Sequence, residues 1–192
     1  MQLNPHFTFD RFVITPGAAV AHRACWAFAE TRPTAPRLIG LYGRPGVGKT
    51  HLLHSIGNAV IDRAPATHLA LKTAEELRDE FVRALRQDRL DERRREYRQL
   101  DVLLIDDLHV LGGRPDTQSE IARTLISCLE SGVRIACAGM STPAQVKALS
   151  TPLKSLPNSR FIGIKSPTLQ ALRRILRSSS VADGLAIPAM AL

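Results

Sequence analysis

Between Tyr42 and His51 the chain reads Gly43-Arg44-Pro45-Gly46-Val47-Gly48-Lys49-Thr50, and few local sequences constrain a fold as tightly. The run Leu38-Ile39-Gly40-Leu41-Tyr42 before it suits a buried strand, and a helical pattern over residues 50–61 follows. A glycine-rich turn between strand and helix aims consecutive backbone N–H groups at one point. The helix N-terminus adds partial positive charge there, which makes the turn a phosphate cradle. Gly43, Gly46 and Gly48 let the backbone close around the anion. Lys49 is then placed to reach the β- and γ-phosphates of a nucleoside triphosphate, and the Thr50 hydroxyl to ligate Mg²⁺. A chance glycine-rich turn would lack the Lys-Thr pair or one of the flanks.

A second segment, Asp101-Val102-Leu103-Leu104-Ile105-Asp106-Asp107, supplies the other half of such a site. Four successive apolar residues suit a strand buried on both faces of a parallel sheet. Two carboxylates follow at its C-terminal end, where ligands of open α/β sheets collect. Asp106 is the candidate Mg²⁺ holder, directly or through water, and Asp107 the candidate base that polarises the water attacking the γ-phosphate. A solvated acidic turn is the plainer alternative, which the phosphate loop upstream outweighs.

The rest of the chain alternates between strand-like and helix-like segments. Strands are expected at Leu38–Tyr42, 68–72, Val102–Asp106, 133–138 and 161–165, and helices at 50–61, 73–86, 117–130, 142–149 and 168–179. The alternation predicts a parallel five-stranded sheet flanked by helices on both faces. A length of 192 residues fits one domain with a sizeable core. Cys25, Cys128 and Cys137 stand singly in apolar contexts, so they read as core residues of a reducing compartment, not as a disulfide framework or zinc site. No apolar run approaches the ~20 residues that span a bilayer, and the N-terminus lacks a signal-peptide pattern, so the expected location is the cytoplasm.

A net charge of +8 points to an anionic partner, with nucleic acid the first candidate. Arginine supplies most of the basic residues and is densest over residues 77–98, as Arg78, Arg83, Arg86, Arg89, Arg93, Arg94, Arg95 and Arg98. Asp79, Glu80, Asp88, Asp91, Glu92 and Glu96 are interleaved with them. Opposite charges three and four apart equally describe a salt-bridged, solvated helix face.

Several segments carry a family resemblance over essentially the whole chain. Leu3-Asn4-Pro5-His6-Phe7-Thr8-Phe9-Asp10-Arg11-Phe12-Val13 resembles the lead-in to the ATPase domain of DnaA, the bacterial replication initiator. Gly48-Lys49-Thr50-His51-Leu52-Leu53-His54-Ser55-Ile56-Gly57-Asn58 is similar to that family's phosphate loop and following helix. Tyr97 to Asp107 and Thr117-Gln118-Ser119-Glu120 match as well, and Ser159-Arg160-Phe161 falls at the family's arginine-finger motif. The resemblance implies an AAA+ P-loop NTPase fold, with a lead-in at 1–15, an ATP-binding domain at 16–180, and at 181–192 the start of a helical lid that is truncated here. It implies ATP and Mg²⁺ as cofactors, adds Val47 and His51 to the nucleotide-binding set, and gives Arg160 a catalytic role on the ATP of an adjacent subunit. It also implies self-association and non-sequence-specific binding of single-stranded DNA, for which Val82 is a matching position and Arg114 a neighbour able to compensate for a lost basic residue.

Departures from the family pattern shape the alternatives. Met140 stands where the family's fourth strand ends in an aspartate that orients the attacking water, so slow hydrolysis is expected unless Ser141 or Thr142 substitutes. The acid–arginine pair usual before Arg160 is absent from Leu153-Lys154-Ser155-Leu156-Pro157-Asn158, and Asp116 replaces a basic residue that assists unwinding. Three functions follow. The first is the motor portion of an initiator. The second is a regulator resembling Hda, acting on DnaA while tethered to the sliding clamp, for which Gln2-Leu3 with Phe7 is the candidate clamp peptide. The third is an ATP-binding protein without turnover.

Overall fold

A computed structural model describes residues 2–31, 35–108, 115–140 and 159–182. Five strands, β1 (Leu38–Tyr42), β2 (Leu69–Thr73), β3 (Val102–Asp106), β4 (Arg134–Gly139) and β5 (Ser159–Gly163), form one sheet in the order β2-β3-β4-β1-β5. Every pairing is parallel. Parallel neighbours need crossovers, which helices supply. These are α1 (Ala19–Ala29), α2 (Lys49–Arg63), α3 (Ala74–Arg86), α4 (Leu90–Arg98), α5 (Pro115–Glu130) and α6 (Leu169–Ala182).

The pleat divides the core in two. Val102 and Leu104 of β3 face one side, with Ile39, Leu52, Leu53, Ile56 and Phe28 beneath α1 and α2. Leu103 and Ile105 face the other, with Leu77, Phe81, Ile121 and Leu125 beneath α3 and α5. Fully burying each such side chain contributes about 1.5–3 kcal/mol. Gly40 sits at the crowded centre, opposite Cys137 and Phe161 on its two neighbouring strands, and a Cβ there would lie 2.3 Å from the Phe161 ring. Cys25, Cys128 and Cys137 are all buried free thiols, as their apolar contexts predict.

Boundaries moved where local pattern is weakest. The last strand is Ser159–Gly163 and not 161–165, because its pairing is set by alignment with Leu38–Tyr42. The second strand runs one residue later than 68–72, to Thr73. Thr73 then caps α3 in a reciprocal box: its hydroxyl accepts the Glu76 N–H at 3.1 Å, and the Glu76 carboxylate accepts the Thr73 N–H at 2.8 Å. The fourth strand is Arg134–Gly139 where 133–138 was expected. The helix expected over 142–149 lies outside the described residues.

Two helices escaped the sequence reading. α1 buries Ala21, Ala24, Cys25 and Phe28, an i, i+3, i+4, i+7 stripe of mostly small residues whose weak hydrophobic contrast hid it. α4 buries only Tyr97, so tertiary contacts hold it instead. Tyr97 packs 5.8 Å from Phe81, its hydroxyl donates to Glu80 at 2.7 Å, and Arg94 pairs with Glu120 of α5. The arginine-dense segment is therefore two helices, broken where Asp88 takes a positive φ of 53°.

The lead-in is part of the core. Phe9 is buried, and Leu3 lies over Gly57 so closely that a Cβ there would meet its methyl at 2.4 Å. One face of α2 holds the segment by hydrogen bonds. His54 Nδ1 accepts the Asn4 N–H at 2.9 Å, and Asn58 Nδ2 donates to the carbonyls of Asn4 and Phe7 at 2.9 and 3.0 Å.

Candidate nucleotide site

The loop between β1 and α2 curls at the C-terminal edge of the sheet, with φ of 78° at Gly46 and 95° at Gly48. Both angles lie in the left-handed region that favours glycine. The Gly43 N–H donates to the Gly139 carbonyl at 3.3 Å, tying the loop to the end of β4. Val47 is buried in the core beside α2 and anchors the loop from below.

Lys49 is 8% exposed, and its ammonium donates to the carbonyls of Gly43 and Arg44, both at 2.9 Å. Burial lowers its pKa, and the carboxylates of Asp106 and Asp107 oppose that shift. The fold thus brings together the two halves that the sequence kept 57 residues apart. Asp106 is 3% exposed at the end of β3, and its Oδ1 accepts the Asp107 N–H at 2.8 Å. Asp107 is exposed and takes a φ of 52°, a strained conformation for a non-glycine residue. Such strain is characteristic of functional positions. Thr50 occupies the first turn of α2, half-buried. A buried carboxylate and a hydroxyl flanking one phosphate loop are a hard-oxygen donor set, which fits Mg²⁺.

His51, beside Thr50 on α2, makes its described contacts with the lead-in. Its Nε2 donates to the Thr8 carbonyl at 2.8 Å, and its ring stacks on Phe7 with centroids 4.8 Å apart. Burial lowers its pKa, with the Thr8 hydrogen bond opposing. Beside the loop a cleft of about 230 Å³ is lined by Phe12, Val13, Gly46–Gly48 and His51, and from the far side by Pro167 and Ile175 of the β5–α6 connection and α6. The sequence reading missed this cleft. The aromatic spacing Phe7, Phe9, Phe12 was its one local signal, and nothing local marks Pro167 or Ile175.

The remaining candidates are spread over the surface. Arg160 is exposed on the edge strand β5, opposite Ile39 of β1, and no carboxylate pairs with it among the described residues. Val82 is half-buried on α3, while Arg114, Ser141 and Thr142 lie outside the described residues. Met140, directly after β4, is 46% exposed. The arginines of α3 and α4 divide. Arg78, Arg93 and Arg94 pair with carboxylates, whereas Arg83, Arg86, Arg95 and Arg98 have no such partner among the described residues. The ion pairs bear out the salt-bridged reading for part of that segment.

A parallel sheet ordered β2-β3-β4-β1-β5, with a phosphate loop after β1 and an acidic pair after β3, defines a P-loop NTPase of the AAA+ class. The model of the bacterial DnaA ATPase domain matches residues 3–162, and the chain belongs to that family. It is 34% identical over 187 residues to the chromosomal replication initiator protein DnaA of Roseiflexus castenholzii, and 35% identical to that of Lacticaseibacillus casei. Those alignments cover 97% of this chain but 39% and 42% of the relatives, so the chain spans about two fifths of their length. Among solved structures, domain III of the Thermotoga maritima replication initiation protein DnaA superposes with a TM-score of 0.88 at 28% identity, covering 99% of this chain and 80% of that one. A DnaA bound to AMPPCP and single-stranded DNA shares the fold, with a TM-score of 0.85 at 23% identity over 100% of this chain and 59% of that one.

Proposed function

We propose that this chain binds ATP with Mg²⁺ and acts as the motor portion of a replication initiator, associating head to tail and engaging single-stranded DNA. One observation carries the reading: in a DnaA-family chain, a loop with left-handed Gly46 and Gly48 follows β1 and leads into Lys49 at the start of α2, with Asp106 buried at the end of β3. The loop N–H groups and Lys49 bind the phosphates, which replace the two carbonyls as partners of the ammonium. Thr50 and Asp106 would hold Mg²⁺, which neutralises charge on the β- and γ-oxygens. Asp107 orients the attacking water. Turnover is slow, because the strand beside the loop runs out into an apolar Met140.

Arg160 serves a neighbour. It lies exposed on the edge strand with no carboxylate partner among the described residues, which suits a planar, permanently charged fork that bridges phosphate oxygens across an interface. The unpaired arginines around Val82 supply a cationic face for the phosphates of single-stranded DNA. A regulator tethered to the sliding clamp is less favoured, because Leu3 and Phe7 of its would-be peptide are engaged by Gly57 and His51 of the core.

Sedimentation of the chain with ATP, with ADP and without nucleotide, each with and without oligo-dT, tests the reading. Faster sedimentation with ATP alone among the nucleotides, and co-sedimentation of the oligonucleotide in that state, are expected. Identical profiles in all six conditions would remove the motor role.

A further inference from the structure

His51 stands one residue beyond Thr50, in the turn of α2 that opens on the phosphates, yet its ring is committed to the lead-in. Nε2 donates to the Thr8 carbonyl at 2.8 Å, so the proton on that nitrogen is used. One face of the ring stacks on Phe7 at 15°, and the Phe12 ring meets it edge-on at 5.2 Å. Phe12 in turn lies against the phosphate loop, where a Cβ at Gly48 would come within 2.7 Å of its ring. The loop, the first turn of α2 and the lead-in are thus one packed unit with His51 at its joint. The same Phe12 and Val13 form a wall of the cleft that continues from the loop to Ile175.

We propose that His51 is a positioning residue for recognition of the nucleotide's base, not a phosphate ligand. The proposal rests on the nucleotide reading above. His51 holds Phe12 and Val13 against the loop, so that the flat apolar base meets a formed wall while the triphosphate occupies the cradle. Binding energy from the base then depends on His51, whereas that from the phosphates depends on Lys49 and the loop N–H groups. Preorganising the wall removes the ordering cost that a loose eleven-residue segment would impose on the ligand.

The probes are ATP and inorganic triphosphate, each titrated in competition with a fluorescent ATP analogue against the whole chain with Mg²⁺. Inorganic triphosphate fills the cradle and leaves the base cleft empty. The wild-type chain is expected to prefer ATP, and His51→Ala to shrink the ratio of the two affinities by about tenfold. His51→Gln can still donate to the Thr8 carbonyl and should recover part of the ratio. Thermal unfolding reports whether each variant folds, and if His51→Ala does not, Phe12→Ala carries the same expectation. Full retention of the ratio in the folded variant, or a Gln variant no better than Ala, overturns the proposal alone. A wild-type chain that binds neither probe overturns the nucleotide reading, and the proposal with it.

Discussion

In the phosphate loop one ammonium is held by two backbone carbonyls, which an incoming triphosphate would replace. Removing it leaves the backbone cradle intact but takes away the main side-chain counter-charge. Lys49→Ala should therefore weaken ATP binding at least about tenfold, or about 1.4 kcal/mol, in a calorimetric titration. Asp107 is separable from that role, being exposed directly after β3. Asp107→Asn should bind ATP nearly as wild type while hydrolysis falls by about 10²-fold in a phosphate-release assay. Both residues were legible in the sequence, because the loop and the strand that carry them are local patterns. The commitment of His51 to Thr8 was not, since its partner lies 43 residues away.

Among the elements, α4 shows how a helix of almost wholly charged residues is kept in place. Lys72 of β2 donates to Glu80 of α3 at 2.5 Å, and Tyr97 of α4 donates to the other oxygen at 2.7 Å. Burial alone would raise the Glu80 pKa, but these two hydrogen bonds and the Lys72 charge outweigh it and hold the carboxyl below its ordinary value. A depressed folded pKa stabilises above the unfolded value of about 4.3, and the contribution is lost as pH falls through the folded value. Urea unfolding at pH 6 and at pH 3 should then show a larger acid loss of stability for wild type than for Glu80→Gln. Equal losses would leave Glu80 out of the linkage. Residues 77–98 read as one mixed-charge stretch, because the break at Asp88 and the anchor at Tyr97 are tertiary features.

For the whole molecule, the strand order decides what the chain offers to others. β5 is an edge among the described strands, so Arg160 stands at a boundary of the sheet. Arg160→Ala should keep monomer ATP affinity within about twofold while abolishing the ATP-dependent rise in sedimentation coefficient. A variant that still assembles with ATP would place the interface elsewhere. The same order puts the loop after β1 between the ends of β4 and β5, one strand in from the edge.

The phosphate loop, the acidic pair and the α/β alternation were written in the sequence, because each depends on residues within about a dozen positions of one another. The family resemblance rested on the same local runs. Strand register at β5, the small-residue helix α1, the anchoring of α4 and the cleft wall that Phe12 forms against Gly48 were decided only by tertiary structure. In each of these the deciding contact joins distant segments: Gly40 with Phe161, Phe28 with Arg134, Tyr97 with Glu80, and the lead-in with α2. Local preference there is weak, so packing and hydrogen bonding across the chain select the geometry.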